Sequence, residues 1–158
     1  MNARPNDPKG HFALGVAYFA AGDYENCRRE MIGISNDAKT AAGSAYFLGR
    51  IARLEDNLDQ AAVFLNRSIS LVPSFSDAYT ELARVRLRQE RIGDAQIAVS
   101  HALSLSPDSF QANNTQLIIY ERTHDPRASG QRARLKELDE ERGKRQELML
   151  RSIEVKPY

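Results

Sequence analysis

The 158-residue sequence predicts an all-α protein, a right-handed α-solenoid of stacked antiparallel helix pairs finished by a long C-terminal helix. Three observations predict it. The stretch SISLVPSFSDAY, Ser68 to Tyr79, returns 34 residues later as ALSLSPDSFQAN, Ala102 to Asn113. The pairs Leu14-Gly15, Leu48-Gly49 and Leu82-Ala83 stand at the same interval. Each interval also reads as two amphipathic helices separated by a short polar turn. In a repeat of this length no unit buries its apolar face alone, so the stack is the stable object.

The units run over 8–41, 42–75 and 76–109. In each, the first helix carries the Leu-small pair and ends at a turn, at Gly22-Asp23, Asp56-Asn57 and Glu90-Arg91. The second helix carries a small residue, Cys27, Ala61 or Ala95, and four residues later a larger apolar one, Met31, Leu65 or Val99. Small side chains on both surfaces allow the close approach of the paired helices. Ile69 and Leu103 close units two and three, followed by Pro73 and Pro107, which end a helix because proline lacks an N–H and restricts the residue before it. Ser74 and Asp108 are placed to cap the next helix. The repeated phrase is therefore a joint of the scaffold.

Beyond the third unit, FQANNTQLIIYER over 110–122 stands in register as a fourth first helix. A long helix and tail occupy 126–158, with Asp125 as the expected cap and Pro126 at the first helical position. Leu135 and Leu138 are expected to cover the fourth unit, and Glu140/Lys144, Glu141/Arg145 and Glu147/Arg151 are spaced as i,i+4 pairs. Two readings of this helix stay open: a solvated cap, or a contact surface for another subunit or partner through Leu148, Leu150 and Ile153. The ending IEVKPY alternates apolar and polar residues, which suits an extended segment. At the other end Pro5 is in register with Pro73, so the chain is expected to be a piece of a longer array whose preceding repeat closes at Pro5.

Composition narrows the function. With 22 Lys and Arg against 21 Asp and Glu the net charge is +1, so bulk charge points to neither a nucleic-acid coat nor a membrane surface. No apolar run approaches the roughly eighteen residues of a membrane span, the start has no apolar core of a signal peptide, and the compartment stays unknown. One cysteine, Cys27, allows no internal disulfide and no CxxC pair. His11, His101 and His124 form no metal-ligand or nucleophile spacing, and no phosphate-binding or nucleophile-elbow motif occurs. Cys27 and His11 are expected as packing residues. The reading is of a protein with no enzyme activity, no catalytic residue, no metal and no cofactor.

The residues LGVAY and GDYENC of unit one, LGRIA, AAVFL and Pro73 of unit two, and LARVR, DAQIAVSHAL and Pro107 of unit three resemble the tetratricopeptide repeat (TPR) family over about 5–122. The family's Trp position holds His11, Ala45 and Tyr79, and its Tyr position becomes Ala52 and Arg86 in units two and three. The resemblance implies binding through the concave surface made by the first helices. Unit one would present Phe12, Val16 and Phe19 there, unit two Tyr46, Phe47, Arg50 and Arg53. Unit three would present Thr80, Glu81, Arg84 and Arg88, and the fourth first helix Asn114, Ile118 and Arg122.

Of these, Phe12, Val16, Phe19, Tyr46, Phe47, Arg50, Arg53, Arg84, Arg88, Asn114, Ile118 and Arg122 form the expected partner-binding set. The groove grades from aromatic to basic, which suits a peptide with an apolar segment followed by acidic residues. The expected function is a non-catalytic protein-protein interaction module in a scaffold or assembly role, as a monomer or weak homodimer. Two alternatives remain: anion or nucleic-acid binding through the arginines, and an array that recruits substrate for a larger enzyme. The chaperone-adaptor members of the family grip the C-terminal tail of Hsp70 or Hsp90 with a clamp of Lys and Asn. The matching positions here hold Phe12, Val16, Phe47, Asp77 and Glu81, so that partner is not expected. The bland reading of the same face is a solvated surface on which Glu81 and Glu121 neutralise the arginines.

Overall fold

The computed structural model describes residues 7–154. Pro5 and the end of the tail, 155–158, lie outside the described residues, as does the side chain of Ile153. Among the described residues eight helices follow one another: α1 Pro8–Ala20, α2 Tyr24–Gly33, α3 Ala41–Leu54, α4 Leu58–Leu71, α5 Ser76–Arg88, α6 Ile92–Leu105, α7 Phe110–Arg122 and α8 Ala128–Glu154. Successive pairs are antiparallel and stack as the all-α, right-handed, TPR-like solenoid that the period predicts. First helices come close along the stack, α1 to α3, α3 to α5 and α5 to α7, whereas no Cα of α2 lies within 8 Å of one on α4, nor one of α4 within 8 Å of α6. The stack is therefore tighter on the side of the first helices, and that side is concave.

The turn inside each pair is one motif written four times. The N–H of Asp23, Asn57, Arg91 and Asp125 returns to the carbonyl of Tyr18, Ala52, Arg86 and Tyr120. One residue earlier, Gly22, Asp56, Glu90 and His124 have φ of 78°, 64°, 58° and 53°. This is the Schellman arrangement, with a left-handed residue just past the helix end. Only the first copy uses glycine, and the other three hold a side chain in a conformation that glycine adopts freely.

The joints between pairs differ. Val72 (φ −136°, ψ 88°) and Ser106 (φ −142°, ψ 80°) are extended, as the following prolines require. Unit one has Lys39 where the others have proline, and its second helix stops early at Gly33. There the Asp37 carboxylate accepts the N–H of Lys39 and of Thr40, while the Thr40 hydroxyl donates to the Ile34 carbonyl. Two expected caps are corrected. The N-cap of α5 is Phe75, with no side-chain bond, instead of Ser74. The N-cap of α7 is Ser109, whose hydroxyl accepts from Ala112 N, while the neighbouring Asp108 reaches Arg134 of α8. Likewise α8 begins at Ala128, two residues after Pro126, although Asp125 accepts the Arg127 N–H much as a cap would.

Packing inside the pairs follows the small-large rhythm with one refinement. The pocket left by glycine takes the larger residue of the second helix: a Cβ on Gly15 would stand 2.6 Å from Met31 Cε, and one on Gly49 2.7 Å from Leu65 Cγ. Cys27, Ala61 and Ala95 are fully buried beside them. A second pair of positions trades volume along the array. In unit one His11 meets Glu30, Nδ1 to Oε2 at 2.6 Å. In unit two the same positions hold Ala45 and Phe64, and in unit three Tyr79 and Ala98. Phe64 packs against the cluster of Cys27, Met31 and Ile34 of unit one with Leu48 and Ile51 of unit two. The large ring thus comes from the second helix in unit two and from the first helix in unit three.

Helix α8 is 27 residues long, about 40 Å at the standard rise. Leu135 and Leu138 are buried against α7, and the helix runs on from Asp139 with its described side chains in solvent. Ion pairs Glu141–Arg145 and Glu147–Arg151 form as spaced, while Glu140 pairs with Lys136 instead of Lys144. No described helix is long and apolar enough to cross a membrane.

Candidate functional site

The concave face is built by α1, α3, α5 and α7, and its two halves differ in chemistry. At the α1/α3 end the Phe47 ring is the centre of an aromatic cluster. Its centroid lies 5.9 Å from Phe12, 5.2 Å from Phe19 and 5.3 Å from Tyr46. Edge-to-face geometry of this kind adds to the area the rings bury. Val16, like Phe12, Phe19 and Phe47, packs on the buried core of Cys27, Met31, Ile34, Leu48 and Ile51, and Tyr46 continues the rings to Phe75 at 4.9 Å. All of these side chains are half-buried, so they hold α1 to α3 and still line the surface.

Arg50 lies on this cluster. Its guanidinium sits 4.2 Å above the Phe19 ring and 5.4 Å from that of Tyr46, a cation–π placement. Among the described residues it has no acidic partner and makes no hydrogen bond, and its Nε is buried without an acceptor. A buried donor left unpaired carries a penalty of about 1–3 kcal/mol. The other groove arginines are engaged. Arg53 Nε and Arg84 Nη1 each donate to one oxygen of Glu81, both at 2.8 Å, and Glu81 is only 4% exposed. Arg84 Nε reaches on to Thr115 Oγ1 of α7 at 3.3 Å, so one polar chain ties α3, α5 and α7 along the floor. Two guanidinia share one carboxylate there, which leaves an excess of positive charge.

Arg88 and Arg122 perform a repeated structural task. Arg88 Nη1 donates to the Arg53 carbonyl at 2.7 Å and pairs with Asp56 at 2.8 Å. One repeat on, Arg122 Nη1 donates to the Leu87 carbonyl at 3.0 Å and stands 3.6 Å from Glu90. Each arginine closes the last turn of the preceding first helix and meets the acid in that helix's left-handed position. Asn114 is half-buried on α7, and Ile118 packs on the core cluster of units two and three. Glu121 is taken by Arg132 of α8.

Between α3, α5 and the start of α7 lies a cleft of about 220 Å³, lined by Tyr46, Arg50, Asp77, Thr80, Glu81, Arg84 and Gln111. Gln111 is the residue that sequence reasoning missed. It stands one repeat after Asp77, so the register itself held the signal. Burial pushes the Tyr46 hydroxyl up to about 12, so it remains a donor at the edge of this cleft. Burial also pushes the Cys27 thiol up to about 11, in keeping with its place in the packing.

No family model matches the chain, and no curated protein is similar to it in sequence. Solved structures of the same shape are found. MamA superposes with a TM-score of 0.74 at 24% identity, covering 89% of this chain and 82% of that one. MamA from Desulfovibrio magneticus RS-1 gives 0.72 at 19% identity, covering 87% and 78%. A mutant O-GlcNAc transferase from Thermobaculum terrenum gives 0.69 at 21% identity, covering 76% of this chain and 23% of that one. The likeness is one of architecture, and by it the chain is a TPR-like helical repeat.

Proposed function

We propose that the chain is a non-catalytic interaction module that holds a peptide or a segment of a partner protein along its concave groove, in a scaffold or assembly role. The observation that supports this most is a juxtaposition: half-buried aromatic rings, Phe12, Phe19, Tyr46 and Phe47, beside Arg50, a guanidinium that no described acid engages. Aromatic residues and arginine carry much of the binding energy at protein interfaces. A groove whose floor is already tied by the Arg53–Glu81–Arg84 chain loses little freedom on binding.

The nucleic-acid reading draws less support. It needs a row of available cations, and Arg53, Arg84, Arg88 and Arg122 are each paired with an acid. Asp77 and Glu81, at the positions where the chaperone adaptors place cations, likewise disfavour an Hsp70 or Hsp90 tail.

The test is selection of a random peptide library on the folded chain, followed by mapping of the selected peptides through backbone amide shifts. Shifts gathered on α1, α3 and α5 are expected. Shifts confined to α2, α4 and α6, or no peptide selected at all, would refute the groove.

A further inference from the structure

We infer that the cleft between α3 and α5 reads one acidic side chain, an internal Asp or Glu next to an aromatic or apolar residue of the bound segment, with Arg50 as the reader. The inference rests on the groove reading above and specifies its ligand. Four features carry it. Arg50 lines the cleft and has neither an ion pair nor a hydrogen bond among the described residues. Its guanidinium is fixed over the Phe19 ring at 4.2 Å, so the planar fork is held in place before a ligand arrives. Around the cleft Arg50, Arg53 and Arg84 stand against Asp77 and Glu81, a balance of one positive charge that favours an added anion. Finally, Tyr46 and Gln111 line the same cleft and can donate a hydrogen bond to a carboxylate.

The cleft also limits what the anion can be. About 220 Å³ admits one side chain. Asp77, exposed in the first turn of α5, and Glu81 below it oppose further negative charge, so a polyanion is disfavoured where a lone carboxylate is accepted. The aromatic cluster that continues from Arg50 through Phe47 to Phe12 is the complementary seat for the apolar neighbour.

The experiment uses three short probes on the whole chain: acetyl-Phe-Glu with an amidated end, acetyl-Phe-Gln with an amidated end, and acetyl-Phe-Gln with a free C-terminal carboxylate. Binding is followed by NMR at the Arg50 Nε–H resonance in the parent chain, and at the backbone amides of α3 and α5 in the parent and in every variant. The Glu probe is expected to move that resonance saturably and to bind at least about tenfold more tightly than the amidated Gln probe. Arg50→Gln should abolish the difference. Arg50→Lys, which keeps the charge without the fork, should retain only part of it, and melting curves of both variants check that they fold. The inference is overturned if the Glu and Gln amides bind alike, if neither binds, or if the shift centres on Arg84. It is also overturned if the free-carboxylate probe equals the Glu probe, since the cleft would then read a chain end. Library peptides that map to the groove without an acidic position would sink this inference and leave the groove standing. Absence of any groove-bound peptide would sink the groove reading itself.

Discussion

Glu81→Gln keeps the shape of a buried side chain and removes one charge. In the parent protein one carboxylate oxygen accepts from Arg53 Nε and the other from Arg84 Nη1, both at 2.8 Å. An amide offers one oxygen and one NH₂, so whichever way it turns, one guanidinium faces a donor. The bond that survives falls from a charged to a neutral acceptor, a loss of about 1 kcal/mol. The bond that disappears leaves a partly buried donor unpaired, worth about 1–3 kcal/mol. Side-chain exposures of 5% for Glu81, 18% for Arg53 and 28% for Arg84 let water restore part of this. The net destabilisation comes to about 2 kcal/mol. For a chain of this size that is a fall of about 4–8 °C in Tm. Urea denaturation followed by far-UV circular dichroism reads it, beside the double variant Glu81→Gln/Arg84→Gln. In the double variant the amide oxygen is free to turn to Arg53, so part of the loss should return. A Glu81→Gln protein within about 0.5 kcal/mol of the parent would refute the view that this carboxylate ties the groove floor.

Gly49→Ala and Gly15→Ala should differ although they occupy the same position of the repeat. The first meets Leu65 and, at 3.3 Å, the Ala61 carbonyl, and overpacking of about 1–3 kcal/mol exceeds the gain in helix propensity; the second meets the flexible end of Met31 and, at 3.3 Å, Glu30 Cβ, and should cost less than the first in urea denaturation. Ser109→Ala removes the N-cap of α7 and should lower stability by about 1 kcal/mol in the same assay, whereas Ser74→Ala should change little. The Cys27 thiol is raised from 9.0 to about 11 by burial, so the unfolded chain loses that proton first. The resulting contribution to stability is full below about pH 9 and lost as the pH rises towards 11, and Cys27→Ala should flatten that part of a stability-versus-pH series.

What could be read from the sequence was whatever depends on spacing along the chain. The 34-residue register, the Leu-small pairs and the proline joints are all local in sequence, and the helices lie where they predict. The caps differ by one residue from expectation because capping is decided by backbone angles: Ser109 and Asp108 are both good capping types, and it is Ser109 that has an extended backbone with its oxygen on the Ala112 N–H. The arginines were less legible. Arg50, Arg53, Arg84, Arg88 and Arg122 look alike in sequence as a basic row. Their differing fates depend on which acids come within reach across the stack. Asp56 and Glu90 lie 32 residues before Arg88 and Arg122, a separation that only the rise between stacked units closes. Arg50 finds rings instead of acids, and no periodicity announces that.

The traded volumes at His11/Glu30, Ala45/Phe64 and Tyr79/Ala98 bear on how many repeats this array tolerates. Repeats of equal length look like interchangeable bricks, yet each here is shaped for the neighbour it has. Excising residues 42–75 would seat unit three directly on unit one. Ala98 would then face the cluster around Cys27 and Met31 that Phe64 now fills, leaving a gap the size of a phenyl ring. Phe64 is half-buried, so the loss falls below the ~3–5 kcal/mol of a fully buried phenylalanine, yet it is still a sizeable part of a domain's whole stability. Loss of unit two is therefore resisted by the core itself, and these repeats are not interchangeable in order.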